Sequence, residues 1–235
     1  MEILKPCTAI ITAAGKGLRL AGDVKKQFRM LDGIPILIRS LSPFFSSPII
    51  SNIIVTAPES EVELTRGLIE QYFEPLIKPL LVIPGGVERQ DSVFGALQNC
   101  PPDTDLVFIH DAVRPFISLE LIAELYAITQ ETGAVVPASR LKNTVKMVEG
   151  ECIASTVARD RLIQVFTPQV FDFDLLRQSY EKAYQDGYIS TDDSALVEHY
   201  GHKVHYLLTS DMNIKITDEW DFTLAHLIIE NNIIV

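Results

Sequence analysis

The sequence predicts an α/β fold: a mostly parallel sheet with helices on both faces, and a protruding β-hairpin arm. Three observations predict it. Short, unbroken apolar runs of strand length alternate with segments of helical spacing, which is the pattern of strands buried on both faces. Several of these runs end in glycine-containing or polar loops, as strands do where a parallel sheet presents its carboxyl ends. From about Ser139 to Leu162 the helical rhythm lapses, and two strand-like pieces surround Glu149-Gly150-Glu151. With 235 residues, 47% of them hydrophobic, the chain has the material for a substantial core.

Taken in order, Thr8-Ala9-Ile10-Ile11-Thr12 reads as the first strand and runs into Ala13-Ala14-Gly15-Lys16-Gly17. Ile36 to Phe45 has helical spacing and stops near Pro48. Ile53 to Thr56 is a second strand and Glu59 to Tyr72 a polar-faced helix. Leu80 to Ile83 is a third strand, closed by Pro84-Gly85-Gly86, and Glu88 to Leu97 is helical. Leu106 to Ile109 is a fourth strand that leads into His110-Asp111. Ser118 can cap a helix running to about Thr132, before a strand at Ala134 to Val136. Helical spacing returns at Leu175 to Gln185 and near Leu196, with Thr191-Asp192-Asp193 reading as an acidic helix cap. A last strand near Val204 to Leu208 precedes Asn213-Ile214-Lys215-Ile216-Thr217 and a helix from about Glu219. No repeat, low-complexity segment or linker is visible, so one domain over 1–235 with an arm at about 139–162 is expected.

The charge balance narrows the partners. With 31 acidic and 20 basic residues the formal net charge is −11, which argues against nucleic acid or a membrane surface, both polyanions. The apolar runs fall well short of the roughly 20 residues that span a bilayer. Met1 to Lys5 has no basic region followed by an apolar stretch, so no signal peptide is expected. Cys7, Cys100 and Cys152 are odd in number and lack nearby His at metal-ligand spacing. They read as reduced thiols of a soluble, cytoplasmic protein.

The loop after the first strand stands apart. Residues 16–29 hold Lys16, Arg19, Lys25, Lys26 and Arg29 against Asp23 alone, a local net of +4, leaving −15 on the rest. Gly15 and Gly17 let backbone N–H groups approach an anion. A dinucleotide fingerprint would need glycine where Leu20 stands, and the P-loop pattern is absent. The alternatives are a polyphosphate site and a glycine turn beside a solvated basic patch.

Ala13-Ala14-Gly15-x-Gly17-x-Arg19 followed by Lys26-Gln27-Phe28 resembles the signature of nucleotidylyltransferases that join an NTP to a sugar or polyol phosphate. Gly85-Gly86-x-Glu88-Arg89-x-Asp91-Ser92-Val93, His110-Asp111-Ala112-Val113-Arg114-Pro115 and Thr167-Pro168-Gln169 are similar to the cytidylyltransferase branch. Thr144-Val145-Lys146, Thr191-Asp192-Asp193-Ser194-Ala195 and Asn213-Ile214-Lys215 resemble the polyol-phosphate cytidylyltransferases that take 2-C-methyl-D-erythritol 4-phosphate, over nearly the whole chain. The resemblance implies a Rossmann-like nucleotidyltransferase fold, CTP and that polyol phosphate as substrates, Mg²⁺ as cofactor, and a homodimer formed through the arm.

It also implies roles for individual residues. Arg19 and Lys26 would hold the triphosphate and stabilise the transition state, with Ala14, Gly15 and Gly17 around them. Gly85, Gly86 and Ser92 would read the cytosine. Arg159 and Lys215 would grip the acceptor phosphate, Thr144 would bond the same substrate, and Arg114 and Thr167 are expected among the substrate-binding residues. Asp111 either approaches Mg²⁺ or polyol hydroxyls, or simply pairs with Arg114 inside its loop. His110 is expected to support that loop. Lys25, Leu20 and Phe166 depart from what is frequent in the family, and none removes a charge the chemistry requires. The rival readings are a ribitol 5-phosphate enzyme of the same fold and a CTP-binding sensor without turnover.

Overall fold

The computed structural model describes residues 5–15 and 25–233. Gly17 and Arg19, with the rest of 16–24, lie outside the described residues. In chain order the elements are β1 (Cys7–Thr12), β2 (Met30–Leu31), β3 (Ile34–Pro35), α1 (Ile36–Ser46), β4 (Ile50–Ala57), α2 (Val62–Tyr72), β5 (Leu80–Pro84), α3 (Arg89–Leu97), β6 (Leu106–Asp111), α4 (Leu119–Thr132), β7 (Ala134–Arg140), β8 (Val145–Glu149), β9 (Cys152–Val157), β10 (Ile163–Val165), β11 (Gln169–Asp172), α5 (Phe173–Asp186), α6 (Asp193–His199), β12 (His205–Leu208) and α7 (Glu219–Glu230).

The main sheet has the order β10-β7-β11-β6-β1-β4-β5, with β12 also paired to β7. β1 is parallel to both β4 and β6, and β4 is parallel to β5. After β1 the chain builds outward to β4 and β5, then returns across β1 to lay down β6. The order therefore reverses between β1 and β6, and a crevice opens there at the strands' carboxyl ends.

Side chains of each central strand alternate between two cores. Ala9, Ile11, Ile53, Val55 and Phe108 face a cluster completed by α1 and α4 through Leu37, Leu41, Phe44, Ile122 and Leu125. Ile10, Ile54, Val107 and Ile109 face the opposite cluster, closed by Val93 of α3, Tyr180 of α5 and Leu196 of α6. A smaller third cluster seats α7: Ala225 and Ile228 meet Leu31, Ile36, Val113, Phe116 and Ile216. Among the described residues, no helix is long and apolar enough to cross a membrane.

Two differences from the expected elements have physical causes. The second helix begins at Val62, because Glu59–Glu61 forms a separate 3₁₀ turn after Pro58. β11 was not expected as a strand, yet it lies antiparallel between β6 and β7. Its four residues contain one apolar pair, Val170-Phe171, and run straight into a helix. Burial of both side chains at 0% exposure makes the strand; its local pattern does not. The arm is the antiparallel pair β8–β9, which forms its own two-stranded sheet with largely exposed side chains.

Helix α4 has the start and stop its sequence calls for. Ser118 Oγ accepts from Leu121 N–H at 3.1 Å, and Gly133 closes the helix at φ 77°, where a Cβ would be strained. Ser118→Ala is expected to cost about 1 kcal/mol. A shift in urea midpoint at constant slope would show it, and an unchanged midpoint would mean that the cap is idle.

Candidate active site

The crevice at the reversal point is a cleft of about 780 Å³. Three loops build it. Thr12 ends β1 and Ala13 to Gly15 follow it, Gly85 to Arg89 follow β5, and Asp111 ends β6 with Ala112 and Val113 beyond it; Lys26, Gln27, Ser92 and Lys215 complete the lining. Of the residues singled out in the sequence, Ala14, Gly15, Lys26, Gly85, Gly86, Ser92, Asp111 and Lys215 come together here.

Lys26 opens a 3₁₀ turn, Lys26–Phe28, pinned against the first loop by buried Gln27, whose Nε2 donates to the Ala13 carbonyl at 2.9 Å. The basic cluster is divided by its neighbours. Lys25 pairs with Glu61 at 2.8 Å, and Arg29 pairs with Glu219 at 2.5 Å while lying over the Phe222 ring. Lys26 and Gln27 are the members of that pinned turn that line the cleft.

The loop after β5 approaches the first loop too closely for side chains. A Cβ on Gly85 would lie 2.2 Å from Ala14 Cβ and 2.8 Å from Ser92 Oγ. Gly85 N–H donates to the Ala57 carbonyl at 2.8 Å, and Gly86 N–H to Ser92 Oγ at 3.0 Å. Ser92 Oγ in turn donates to the Glu88 carbonyl. These N–H groups are thus engaged within the protein.

Asp111 lies at the centre. Its Oδ2 meets Lys215 Nζ at 2.8 Å and Arg114 Nε at 3.5 Å, while Oδ1 accepts from Thr12 Oγ1 at 3.3 Å and faces Arg89 Nε at 3.4 Å. Burial alone would push this carboxyl up. Arg89, Lys215 and Arg114 outweigh it and hold the group far below the ordinary carboxylate range. Asp111 thus pairs with Arg114, as one of the two expectations had it, and it also lines the cleft.

Arg114, Thr167 and His110 form the floor behind Asp111. Arg114 Nη1 donates to the Asn213 carbonyl at 2.8 Å, and its guanidinium lies 5.4 Å from the centre of the Phe166 ring, which gives that unusual phenylalanine a contact. The Thr167 hydroxyl accepts from Asp111 N–H at 3.1 Å and meets His110 Nδ1 at 3.0 Å. His110 is fully buried, and its Nε2 meets the Arg114 carbonyl at 3.0 Å. Asn213 Nδ2 donates to the Thr167 carbonyl, and Ile216 N–H to Val113, so the 213–216 segment is laced to the same floor and carries Lys215 into the cleft.

Thr144 and Arg159 are elsewhere. Both are exposed residues of the arm region, where Arg159 Nη1 donates to the Lys142 carbonyl. Sequence reasoning missed Arg89 as a site residue. It lines the cleft and bridges Asp111 to buried Asp193, to which its Nη2 donates at 2.7 Å. Its presence inside the Gly-Gly-x-Glu-Arg motif was the available signal.

The 2-C-methyl-D-erythritol 4-phosphate cytidylyltransferase family model matches residues 7–231. The chain belongs to that family. A family member of Solibacter usitatus (strain Ellin6076) is 37% identical over 232 residues, 97% of this chain and 94% of its own length. The crystal structure of 4-diphosphocytidyl-2C-methyl-D-erythritol synthase from Anaerococcus prevotii DSM 20548 matches with a TM-score of 0.85 at 30% identity, over 96% of each chain. The Francisella tularensis cytidylyltransferase structure matches at 0.81 and 29% identity, over 94% of this chain and 99% of that one. As in the rest of the family, the chain is a nucleotidyltransferase.

Two outcomes follow from the geometry. Gly85→Ala is expected to overpack the two loops at a cost of about 1–3 kcal/mol, read by chemical denaturation; wild-type stability would mean that the loops separate freely. His110 is pushed down to about 4 by its burial, which outweighs the attraction of Asp111. The unfolded chain therefore takes up its proton first, near pH 6.5, and stability is lost as pH falls from there to about 4, by about 3 kcal/mol in all. His110→Gln should flatten the stability curve in that window relative to wild type, and parallel curves would refute the assignment.

Proposed function

We propose that this protein transfers CMP from CTP to 2-C-methyl-D-erythritol 4-phosphate, forming 4-diphosphocytidyl-2-C-methyl-D-erythritol and pyrophosphate in isoprenoid biosynthesis by the non-mevalonate route. The observation that carries this reading is that Lys26 and Lys215 line one cleft with the Gly85-Gly86 loop, in a chain of this family. An acceptor phosphate oxygen attacks the α-phosphorus, the new P–O bond forms, and the bond to the β-phosphate breaks with its electron pair leaving on pyrophosphate. Both reactants are anions, so the protein's task is charge neutralisation and alignment. Lys26 steadies the triphosphate. Lys215, anchored by Asp111, offers its remaining N–H donors to the acceptor phosphate.

Mg²⁺ fits this donor set. Among the described residues no cluster of three metal-ligating side chains exists, but an ion carried on phosphates needs only one or two protein carboxylates. Two carboxylate residues line the cleft, Glu88 and Asp111, and the contacts of Asp111 Oδ1 are no shorter than 3.3 Å. When bound, Mg²⁺ supplies charge neutralisation on the phosphates. The free Cys7, Cys100 and Cys152 favour a reducing compartment such as the cytoplasm. The arm supports a homodimer, since Met147, Val148 and Ile153 on it are exposed. In that arrangement Arg159 and Thr144 serve the neighbour's cleft.

Pyrophosphate release with CTP and Mg²⁺, using methylerythritol phosphate and ribitol phosphate in parallel, tests the reaction. Release with the first acceptor alone is expected. Release with ribitol phosphate alone overturns the substrate, and CTP binding without release from either points to a sensor. Lys26→Ala should lower kcat by about 10²-fold or more. Lys215→Ala and Arg159→Ala should mainly raise the acceptor KM. Mixing Lys26→Ala with Arg159→Ala chains should restore part of the activity if the arm serves its neighbour; no recovery would overturn that arrangement.

A further inference from the structure

The floor of the cleft continues into a line of charges whose inner end, buried Asp193, the reaction as described does not use. Asp193, the first residue of α6, is 0% exposed. Its Oδ2 accepts from Arg89 Nη2 at 2.7 Å, and its Oδ1 accepts from the Tyr180 hydroxyl at 2.5 Å. Tyr180 is itself fully buried in α5 and stacks on Phe94 of α3 at 5.8 Å between ring centres. From Asp193 the sequence of contacts runs through Arg89 to Asp111 Oδ1 at 3.4 Å, and from Asp111 Oδ2 to Lys215 Nζ at 2.8 Å. Charges alternate along the whole line, from behind the sheet into the cleft.

The distances are unequal in a way that has a consequence. Arg89 makes its short contact to Asp193 and only a long one to Asp111. A guanidinium prefers to fork across both oxygens of a carboxylate. With Asp193 holding one arm of the fork, Arg89 touches Asp111 at a single oxygen and leaves the other to Lys215 at 2.8 Å and, at a longer 3.5 Å, to Arg114. We infer that Asp193 is a positioning residue for the acceptor half of the reaction: by restraining Arg89 it keeps Asp111 Oδ2 as the anchor that presents the Lys215 ammonium to the acceptor phosphate. Without the Asp193 charge, Arg89 turns its fork onto Asp111, and Lys215 loses its anchor. This rests on the reading of Lys215 given above.

A mutant cycle tests it, with CTP binding followed by calorimetry and both KM values measured at saturating second substrate. Asp193→Asn keeps the side-chain volume and removes the charge. It is expected to raise the acceptor KM about tenfold while CTP affinity stays within about twofold. On a Lys215→Ala background the same substitution should add less than about twofold, because the residue through which it acts is already gone. Multiplicative effects overturn the inference, as does a parallel loss of CTP affinity or a fall in active-enzyme concentration with KM unchanged. If Lys215→Ala leaves the acceptor KM unaltered, the reading of Lys215 fails and takes the inference with it. That result is distinct from Lys215→Ala raising KM while Asp193→Asn does not, which removes the inference alone. Should Asp193→Asn fold poorly, Tyr180→Phe keeps the stacked ring and deletes only the hydroxyl donor. A smaller acceptor-KM rise of a few fold, again absent on the Lys215→Ala background, is then the supporting result, and no rise overturns it.

Discussion

A buried carboxylate must be matched by positive charge, and much of the cleft follows from how Asp111 meets that demand. Three cations from three separate segments surround it: Arg89 from α3, Arg114 from its own loop, and Lys215 from the segment before α7. The same interactions that keep Asp111 ionised tie those segments together. Thr167 and His110 close the rear of the arrangement with hydrogen bonds, so the end of β6 is fixed from every side on which the protein touches it. The cluster of two carboxylates and three cations carries a positive excess at the mouth of an acidic protein. That is a local field suited to phosphates.

The sheet makes this placement possible. Because β1 lies between β4 and β6 and all three are parallel, their carboxyl ends open on one side. The glycine loop after β5 is drawn to within contact of the loop after β1, and α3 begins immediately beyond it. Glu88 and Asp91 complete a capping box at that helix start, which sets the direction in which Arg89 leaves the backbone.

The parts of this arrangement that depend on neighbours in sequence were legible there. Strand runs, the Ser118 cap, the glycine loops and the hairpin around Gly150 all have local signatures. Partnerships across the fold were not. Asp193 follows the true cap, Asp192, and nothing local distinguishes the residue that bonds its own helix from the one that turns inward to an arginine 104 positions earlier. The basic run at 16–29 looked uniform, yet Glu61 and Glu219 divert Lys25 and Arg29 to structural pairs. β11 was hidden for a similar reason, since its strand character comes from the partners on either side of it. Arg159 and Thr144 entered as site residues through resemblance, the sequence already setting Arg159 in the arm and Thr144 at its base, and the fold puts both just outside the β8–β9 pair.

β11 also has a bearing on how the molecule is made. It arrives late in the chain and must slip between β6 and β7, two strands synthesised before it. Until it does, the far edge of β6 has no hydrogen-bonding partner, and the Thr167 hydroxyl is not behind Asp111. Asn213, whose carbonyl receives Arg114 from 99 residues earlier, comes later still. A nascent chain that has already produced β1, β4, β5 and β6 therefore has the strands of the cleft before Thr167 and Asn213 have joined its floor. Its exposed edge during that interval is a surface for mispairing and for chaperones. The arm, which precedes β11 and adds nothing to the main sheet, lengthens the stretch of chain that must be made before that edge is covered.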